Sequence, residues 1–329
     1  MTSLRRPLSA QETTRCVCNS MHSFFVNIFV HIVNIFSSHL LLEKKYAILF
    51  SISCFDEIFF FLRFCMQEFV FWLFSQNNSK LSMDLFDVWH FLYLFVIFGT
   101  ALLLTFLLRK KADEAKLRVI RIFAVLTIGL YIADFFIMPL SDSYGHQIGL
   151  DKLPFHVCTL MGVLLPFVQF NPKLSRFRDV IVCMSVASSL MWMCYPGSAL
   201  GGRPPFSYII FQTFMFHGCL FTWGFLNLSL GQVRLSLKKL WKELVLTLII
   251  LVWAFLGNTV YPNEQNWFFI AYSIFPFLPD KVMPPVVVFC VFGTCFVVHM
   301  IYFAACAIAK KHRERQNTRD KAEKDASIL

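Results

Sequence analysis

The sequence predicts an all-α, polytopic membrane protein whose core is a bundle of seven transmembrane helices. Three observations predict it: an apolar composition, seven apolar runs of membrane-spanning length, and basic loops that alternate between the two ends of the bundle. The 329-residue chain is 57% hydrophobic and 15% charged, with a mean hydropathy of +0.62. A soluble domain is about half apolar and about a quarter charged, so the surplus of apolar side chains indicates lipid as the solvent.

The apolar runs determine the predicted number of helices. A helix needs about 20 mostly apolar residues to cross about 30 Å of hydrocarbon. An open strand would leave backbone groups unpaired in lipid, so each run is predicted to be helical. Proline residues mark loops between runs, as at Pro139 and Pro154. The seven predicted spans are 88–108, 119–140, 153–170, 179–195, 206–226, 243–261 and 284–309.

The basic residues between the spans predict the orientation of the bundle. They concentrate in alternate loops and in the C-terminal tail, whereas the opposite loops hold only Lys152, Arg203 and Lys281. Because lysine and arginine are enriched on the cytoplasmic side of a membrane, the core is predicted to start outside and to end inside the cell membrane. The basic loops carry Arg109, Lys110, Lys111, Lys116, Arg118, Lys173, Arg176, Arg178, Arg234, Lys238, Lys239 and Lys242.

The first 82 residues differ in composition from the core. They begin polar, then become rich in Phe, Ile, Asn and Ser, with charged residues inside an apolar run. Three interpretations remain open: one or two extra membrane-associated helices, a cleaved leader, or a translation start at Met83. Residues 1–82 are therefore predicted to be an atypical N-terminal extension. Residues 83–309 are the predicted seven-helix domain, and residues 310–329 a charged cytoplasmic tail.

Polar side chains inside the predicted spans are candidates for function, because an ionisable group at membrane depth is costly. With a rise of about 1.5 Å per residue, five of them fall where they are predicted to face one cavity open to the outer leaflet. They are Asp134, His156, Gln212, His217 and Asn258. We expect His156 and His217 to be catalytic, and the other three to bind substrate. Interhelical hydrogen bonding is the alternative for each, and it is the prediction for the deeper His299.

Cys158 is a predicted third catalytic residue. A thiolate near an imidazole is the minimum requirement for covalent acyl transfer. Residues two apart on a helix point about 200° away from each other, so Cys158 shares a face with His156 only if the helix starts irregularly after Pro154. Cys158 could instead meet His217 from a neighbouring helix. A buried packing cysteine is the alternative.

Several classes of partner are excluded. The net charge of +10 resides in loops and in the tail rather than on a DNA-reading face, so no nucleic-acid partner is predicted. Most of the 11 cysteines occur singly in apolar runs, and Cys16 and Cys18 are too close and too isolated to define a metal site. No metal and no cofactor are predicted. Membrane lipids are the predicted partners.

Three segments of the core resemble YwaF-type integral membrane proteins of bacteria. They are LPFHVC at 153–158, FQTFMFHG at 211–218 and GNTVY at 257–261, within a resemblance that covers 83–309. The YwaF type is similar to eukaryotic membrane acyltransferases that move polyunsaturated acyl chains between phospholipids. The resemblance implies catalysis by a cysteine and a histidine of the third helix with the histidine of the fifth. His156 and His217 match, but Phe155 stands where that family has its cysteine.

Two functional hypotheses therefore stand side by side. In the first, the protein is a phospholipid acyltransferase with His156 and His217 as base and orienter and Cys158 as nucleophile. In the second, the same cluster binds or transports a lipid or a small solute without catalysis. No inverted repeat of the kind found in transporters is visible among the spans. Whether the protein is an enzyme stays open at the level of sequence.

The predicted orientation can be tested by epitope accessibility in intact cells. An epitope appended after Leu329 should be reached by antibody only after permeabilisation, because the basic loops and tail are predicted to be cytoplasmic. An epitope inserted after Gly145, in a loop predicted to be external, should be reached without permeabilisation. The reverse result would show that the bundle is inserted the other way.

Overall fold

A computed structural model of the chain describes residues 82–140, 152–196, 200, 203–261, 266–273 and 278–326. Within these residues the regular structure is helical, which confirms the predicted all-α fold. The N-terminal extension up to residue 81 lies outside the described residues. The α-helices of the described part are α1 (Val88–Leu108), α2 (Asp113–Ile137), α3 (Val157–Phe170), α4 (Arg178–Cys194), α5 (Tyr208–Ser229), α6 (Trp241–Val260) and α7 (Met283–Ala326).

Six of these helices are long and apolar enough to cross a membrane, and α3 is the shorter exception. Helix α3 has 14 residues and begins four residues after the predicted start of its span. The Pro154 carbonyl accepts a hydrogen bond from Trp253 Nε1 at 2.9 Å. The first helical bond of α3 instead runs from the Leu160 amide to the His156 carbonyl. His156, with an extended backbone, is therefore the N-cap residue.

The other helices lie close to their predicted spans. Helix α1 has the predicted bounds, whereas α2 begins six residues early, at Asp113. Its first turn is acidic, which is favourable at the positive end of the helix dipole. Asp113 also forms an ion pair of 2.8 Å with Lys116, one turn further along the same helix. Helix α7 continues to Ala326, so much of the predicted tail prolongs the last helix.

Helices α4 and α5 are the most buried of the membrane-length helices. Helix α5 contacts α1, α2 and α4, while α4 also contacts α3, α6 and α7. Gly224 sits where α5 crosses α4: a Cβ there would lie 2.6 Å from Val186 Cγ2 and 3.2 Å from the Val182 carbonyl oxygen. Small residues let membrane helices approach closely in this way, so Gly224 determines how near these two helices can lie.

The ends of α3, α4 and α5 are joined by a buried polar network near the basic loops. Arg178 donates to Gln169 Oε1 at 2.8 Å and to Asn227 Oδ1 at 2.7 Å. Trp223 Nε1 also donates to Gln169 Oε1, at 3.0 Å. Arg178 was counted in the sequence only as a loop charge, yet its guanidinium ties three helices together.

Replacing Gly224 by alanine should destabilise the bundle by about 1–3 kcal/mol, because the added methyl group overpacks the α4–α5 contact. The measurement is the midpoint of thermal unfolding in detergent, followed by size-exclusion chromatography. Gly129→Ala is the matched control, since a Cβ at Gly129 meets nothing within 4 Å. Equal midpoints for the two variants would contradict the close-packing role of Gly224.

Candidate functional site

A buried ion pair lies at the end of α2 that faces away from the basic loops. Lys152 Nζ is 3.1 Å from Asp134 Oδ2, and the Tyr208 hydroxyl donates to Asp134 Oδ1 at 2.7 Å. The Tyr131 hydroxyl donates to the Lys152 carbonyl at 2.7 Å. Asp134 is only 2% exposed. A buried carboxylate needs such partners, and these contacts fix α2, α5 and the segment before α3 to one another.

His217 lies in α5, and its ring is held by a hydrogen bond and by a stacked aromatic ring. Its Nδ1 is 2.8 Å from the Thr213 carbonyl oxygen, and Trp192 stacks on the imidazole with ring centroids 3.9 Å apart. A carbonyl oxygen can only accept a hydrogen bond, so His217 Nδ1 carries the proton. In the neutral ring, Nε2 is therefore the nitrogen with the lone pair.

His156, at the start of α3, has the opposite arrangement. The Phe268 amide donates to His156 Nδ1 at 3.3 Å. A nitrogen that accepts a hydrogen bond carries no proton, so this imidazole is neutral and its proton is on Nε2. His156 and His217 lie at the start of α3 and within α5, two helices in contact, and we refer to them together with Asp134 and Lys152 as the histidine cluster.

The segment that supplies this amide is held in an unusual conformation. Phe268 and Phe269 have φ values of 58° and 56°, in the left-handed region that costs a non-glycine residue about 1–3 kcal/mol. Asn258 holds the segment in place, because its side chain exchanges hydrogen bonds of 3.0 and 3.1 Å with the Trp267 backbone. Asn258 therefore contacts the histidine cluster only through this segment.

Gln212 and Cys158 each donate a hydrogen bond to the backbone of a neighbouring helix. Gln212 Nε2 donates to the Leu130 carbonyl at 3.2 Å, which joins α5 to α2. The Cys158 thiol donates to the Ser188 carbonyl at 3.5 Å, so it is directed at the backbone of α4. Phe155, which precedes His156, packs its ring on Gly257 and stacks on Trp253 with centroids 5.0 Å apart.

Sequence reasoning missed several residues of the cluster. Lys152 was counted only as a loop charge, although an ammonium close to a membrane-embedded Asp134 was a signal for an ion pair. Tyr208 and Phe268 had no such signal, because their hydrogen bonds depend on helix packing. Trp192 stacks on His217, a contact that likewise depends on the packing of α4 against α5.

A groove of about 630 Å³ opens at the opposite end of α2. Arg118 and Arg121 line it together with Glu114, apolar residues of α2, and Phe170 at the end of α3. The groove combines cationic and apolar groups, as lipid-facing sites do. It runs along the first half of α2, whereas Asp134 lies near the other end of that helix.

The bundle of membrane-length helices, with charged and imidazole groups buried between them, defines a polytopic integral membrane protein. The model of the TMEM164 family, a family of membrane proteins, matches residues 85–310. The chain belongs to the TMEM164 family. No curated protein and no solved structure matches the chain.

Replacing Asp134 by asparagine should destabilise the protein by about 3–5 kcal/mol, because the buried Lys152 ammonium then loses its counter-charge. The thermal midpoint in detergent measures the loss, and a second change, Lys152→Met, should recover part of it. Lys239→Met is the matched control: its ion pair with Asp179 is half-exposed, so it should cost no more than about 1 kcal/mol. A loss no larger than that of the control would contradict a stabilising role for the buried pair.

Proposed function

We propose that this protein acts on membrane phospholipids and transfers acyl chains between them, with His217 and His156 as the reacting pair. The observation that carries the proposal is the opposite hydrogen bonding of the two Nδ1 atoms, from which the protonation of each imidazole follows. His217 presents a lone pair on Nε2, whereas His156 has its proton on Nε2. One ring is thus prepared to accept a proton and the other to donate a hydrogen bond.

The reaction that fits this pair is direct ester exchange. His217 Nε2 takes the proton from the free hydroxyl of a lysophospholipid, whose oxygen attacks the ester carbonyl of a donor phospholipid. The new C–O bond forms, the old one breaks, and the proton passes from His217 to the departing oxygen. His156 Nε2–H stabilises the transient oxyanion. No oxidant, reductant or cofactor is needed.

The remaining residues of the cluster have positioning roles in this proposal. Asp134 fixes the position of Lys152 and, with Tyr208, joins α5 to α2 at this end of the bundle. Gln212 fixes α5 against α2, and Asn258 holds the segment whose amide determines the His156 tautomer. In this proposal, the three residues predicted to bind substrate instead support the groups that contact the lipid.

Two observations favour direct transfer over a thioester route. Phe155 occupies the place at which the acyltransferases, which the sequence resembles, have their cysteine, and its ring is engaged in packing. The Cys158 thiol donates to the Ser188 carbonyl on a neighbouring helix rather than to an imidazole. A nucleophilic thiolate needs a base within hydrogen-bond reach.

The test is acyl transfer by the purified protein in liposomes that contain a labelled donor phospholipid and a lysophospholipid acceptor. His217→Gln should lower the rate by about 10²–10⁴, the usual contribution of a general base. His312→Gln, on the exposed extension of α7, is the matched control and should leave the rate unchanged. Cys158→Ala should also leave it unchanged, and its loss of activity would overturn the direct route in favour of the thioester.

A non-enzymatic lipid-binding role is favoured by one observation, namely that Asp134 and Lys152 already satisfy each other. Such a pair can stabilise a binding cavity without taking part in chemistry. If purified protein transfers no acyl chain but retains phospholipid through detergent exchange, and His217→Gln loses that lipid, the binding role replaces the enzymatic one.

A further inference from the structure

A second cluster of ionisable residues lies apart from the histidine pair, near the basic loops. Cys183 of α4, Glu243 in the first turn of α6, and His299 of α7 point towards one another. One donor atom from each lies within 4.8 Å of the others. The three side chains are 0%, 1% and 1% exposed. Three separate helices therefore bring a sulfur, an oxygen and a nitrogen atom close together in the buried interior of the bundle.

The contacts within this cluster leave donor atoms unused. His299 Nε2 is 3.3 Å from Glu243 Oε1, but neither Glu243 Oε2 nor His299 Nδ1 has a hydrogen-bond partner. A buried polar atom without a partner is rare in proteins and calls for an explanation, of which a bound ion is one. The neighbouring Lys239 and Lys242 pair with Asp179, at 3.1 and 3.6 Å, so they do not supply the missing charge to Glu243.

The donor set is typical of a thiophilic metal ion. Thiolate, imidazole and carboxylate are the ligands of zinc in proteins, whereas calcium and magnesium take oxygen alone. Further sulfur surrounds the cluster: Cys183 Sγ donates to the Cys295 carbonyl at 3.8 Å, and Cys295 Sγ is 3.4 Å from Met184 Sδ. The cluster therefore lies in a sulfur-rich part of the core, and three of its side chains can supply protein ligands to one ion.

We propose that Cys183, Glu243 and His299 form a zinc site that joins α4, α6 and α7 inside the membrane domain. The charge of the ligands favours divalent zinc over monovalent copper. The Cys183 thiolate and the Glu243 carboxylate neutralise a divalent ion completely, which suits a site from which water is excluded. Monovalent copper would leave a net negative charge there. On binding, the Cys183 thiol gives up its proton to solvent and a sulfur–zinc bond replaces the S–H bond. The inference is independent of the proposed acyl transfer.

The test is the metal content of the full-length protein, purified in detergent without chelators and measured by inductively coupled plasma mass spectrometry. The wild-type protein should carry about one zinc ion per chain, and Cys183→Ser and His299→Gln should each lower zinc affinity by at least about tenfold. Cys219→Ser is the matched control, because it removes a buried cysteine of α5 that is remote from the cluster. It should leave the zinc content unchanged.

A measurement on the wild-type chain keeps the proposal testable if the variants fail to fold. After zinc is removed by a chelator, added Co²⁺ should produce the thiolate-to-cobalt charge-transfer absorption that reports a sulfur ligand, and added Zn²⁺ should raise the thermal midpoint. Absence of both effects, in protein that elutes without metal, would overturn the proposal and leave a histidine–carboxylate hydrogen bond alone. Copper at one ion per chain in place of zinc would overturn the assignment of the metal.

Discussion

Polar groups inside lipid have no water to pair with, and this constraint organises the bundle. Arg178 finds Gln169 and Asn227 on two other helices, and Asp134 finds Lys152 and Tyr208. Each partner comes from a different part of the chain, so every such contact also fixes the position of one helix relative to another. In a soluble protein, hydrophobic burial would do most of this; between helices in lipid, packing and polar contacts carry it instead.

This constraint explains which parts of the fold follow from sequence. Span number and position are properties of local composition, and α1 was predicted to the residue. The start of α3 was not predicted correctly, because it depends on a hydrogen bond that Trp253, on α6, donates to the Pro154 carbonyl. The early start of α2 was missed because its first turn is acidic rather than apolar.

In the candidate site, too, residues with a local sequence signal could be predicted, whereas contacts made by helix packing could not. Asp134, His156 and His217 were singled out from membrane depth alone, and their roles stay predictions, although the structure shows each of them in a hydrogen bond. Trp192 and Phe268 could not be predicted as partners of the two histidines, since both reach them only through packing. Cys158 shows the limit of spacing arguments: the irregular helix start that the prediction required is present, yet the thiol is directed at Ser188. The residues of the proposed zinc site lie on three helices, so no spacing motif could have revealed them.

The left-handed pair Phe268–Phe269 has a consequence for protonation. The His156 tautomer is determined by a backbone amide that reaches it only while Phe268 keeps a positive φ. If that residue relaxes to an ordinary extended conformation, the amide leaves Nδ1 and the proton can redistribute between the two ring nitrogens. The protonation of His156 is thus coupled to a torsion angle 112 residues further along the chain. A displacement of this segment would therefore change the hydrogen bonding of His156 without any contact to its ring.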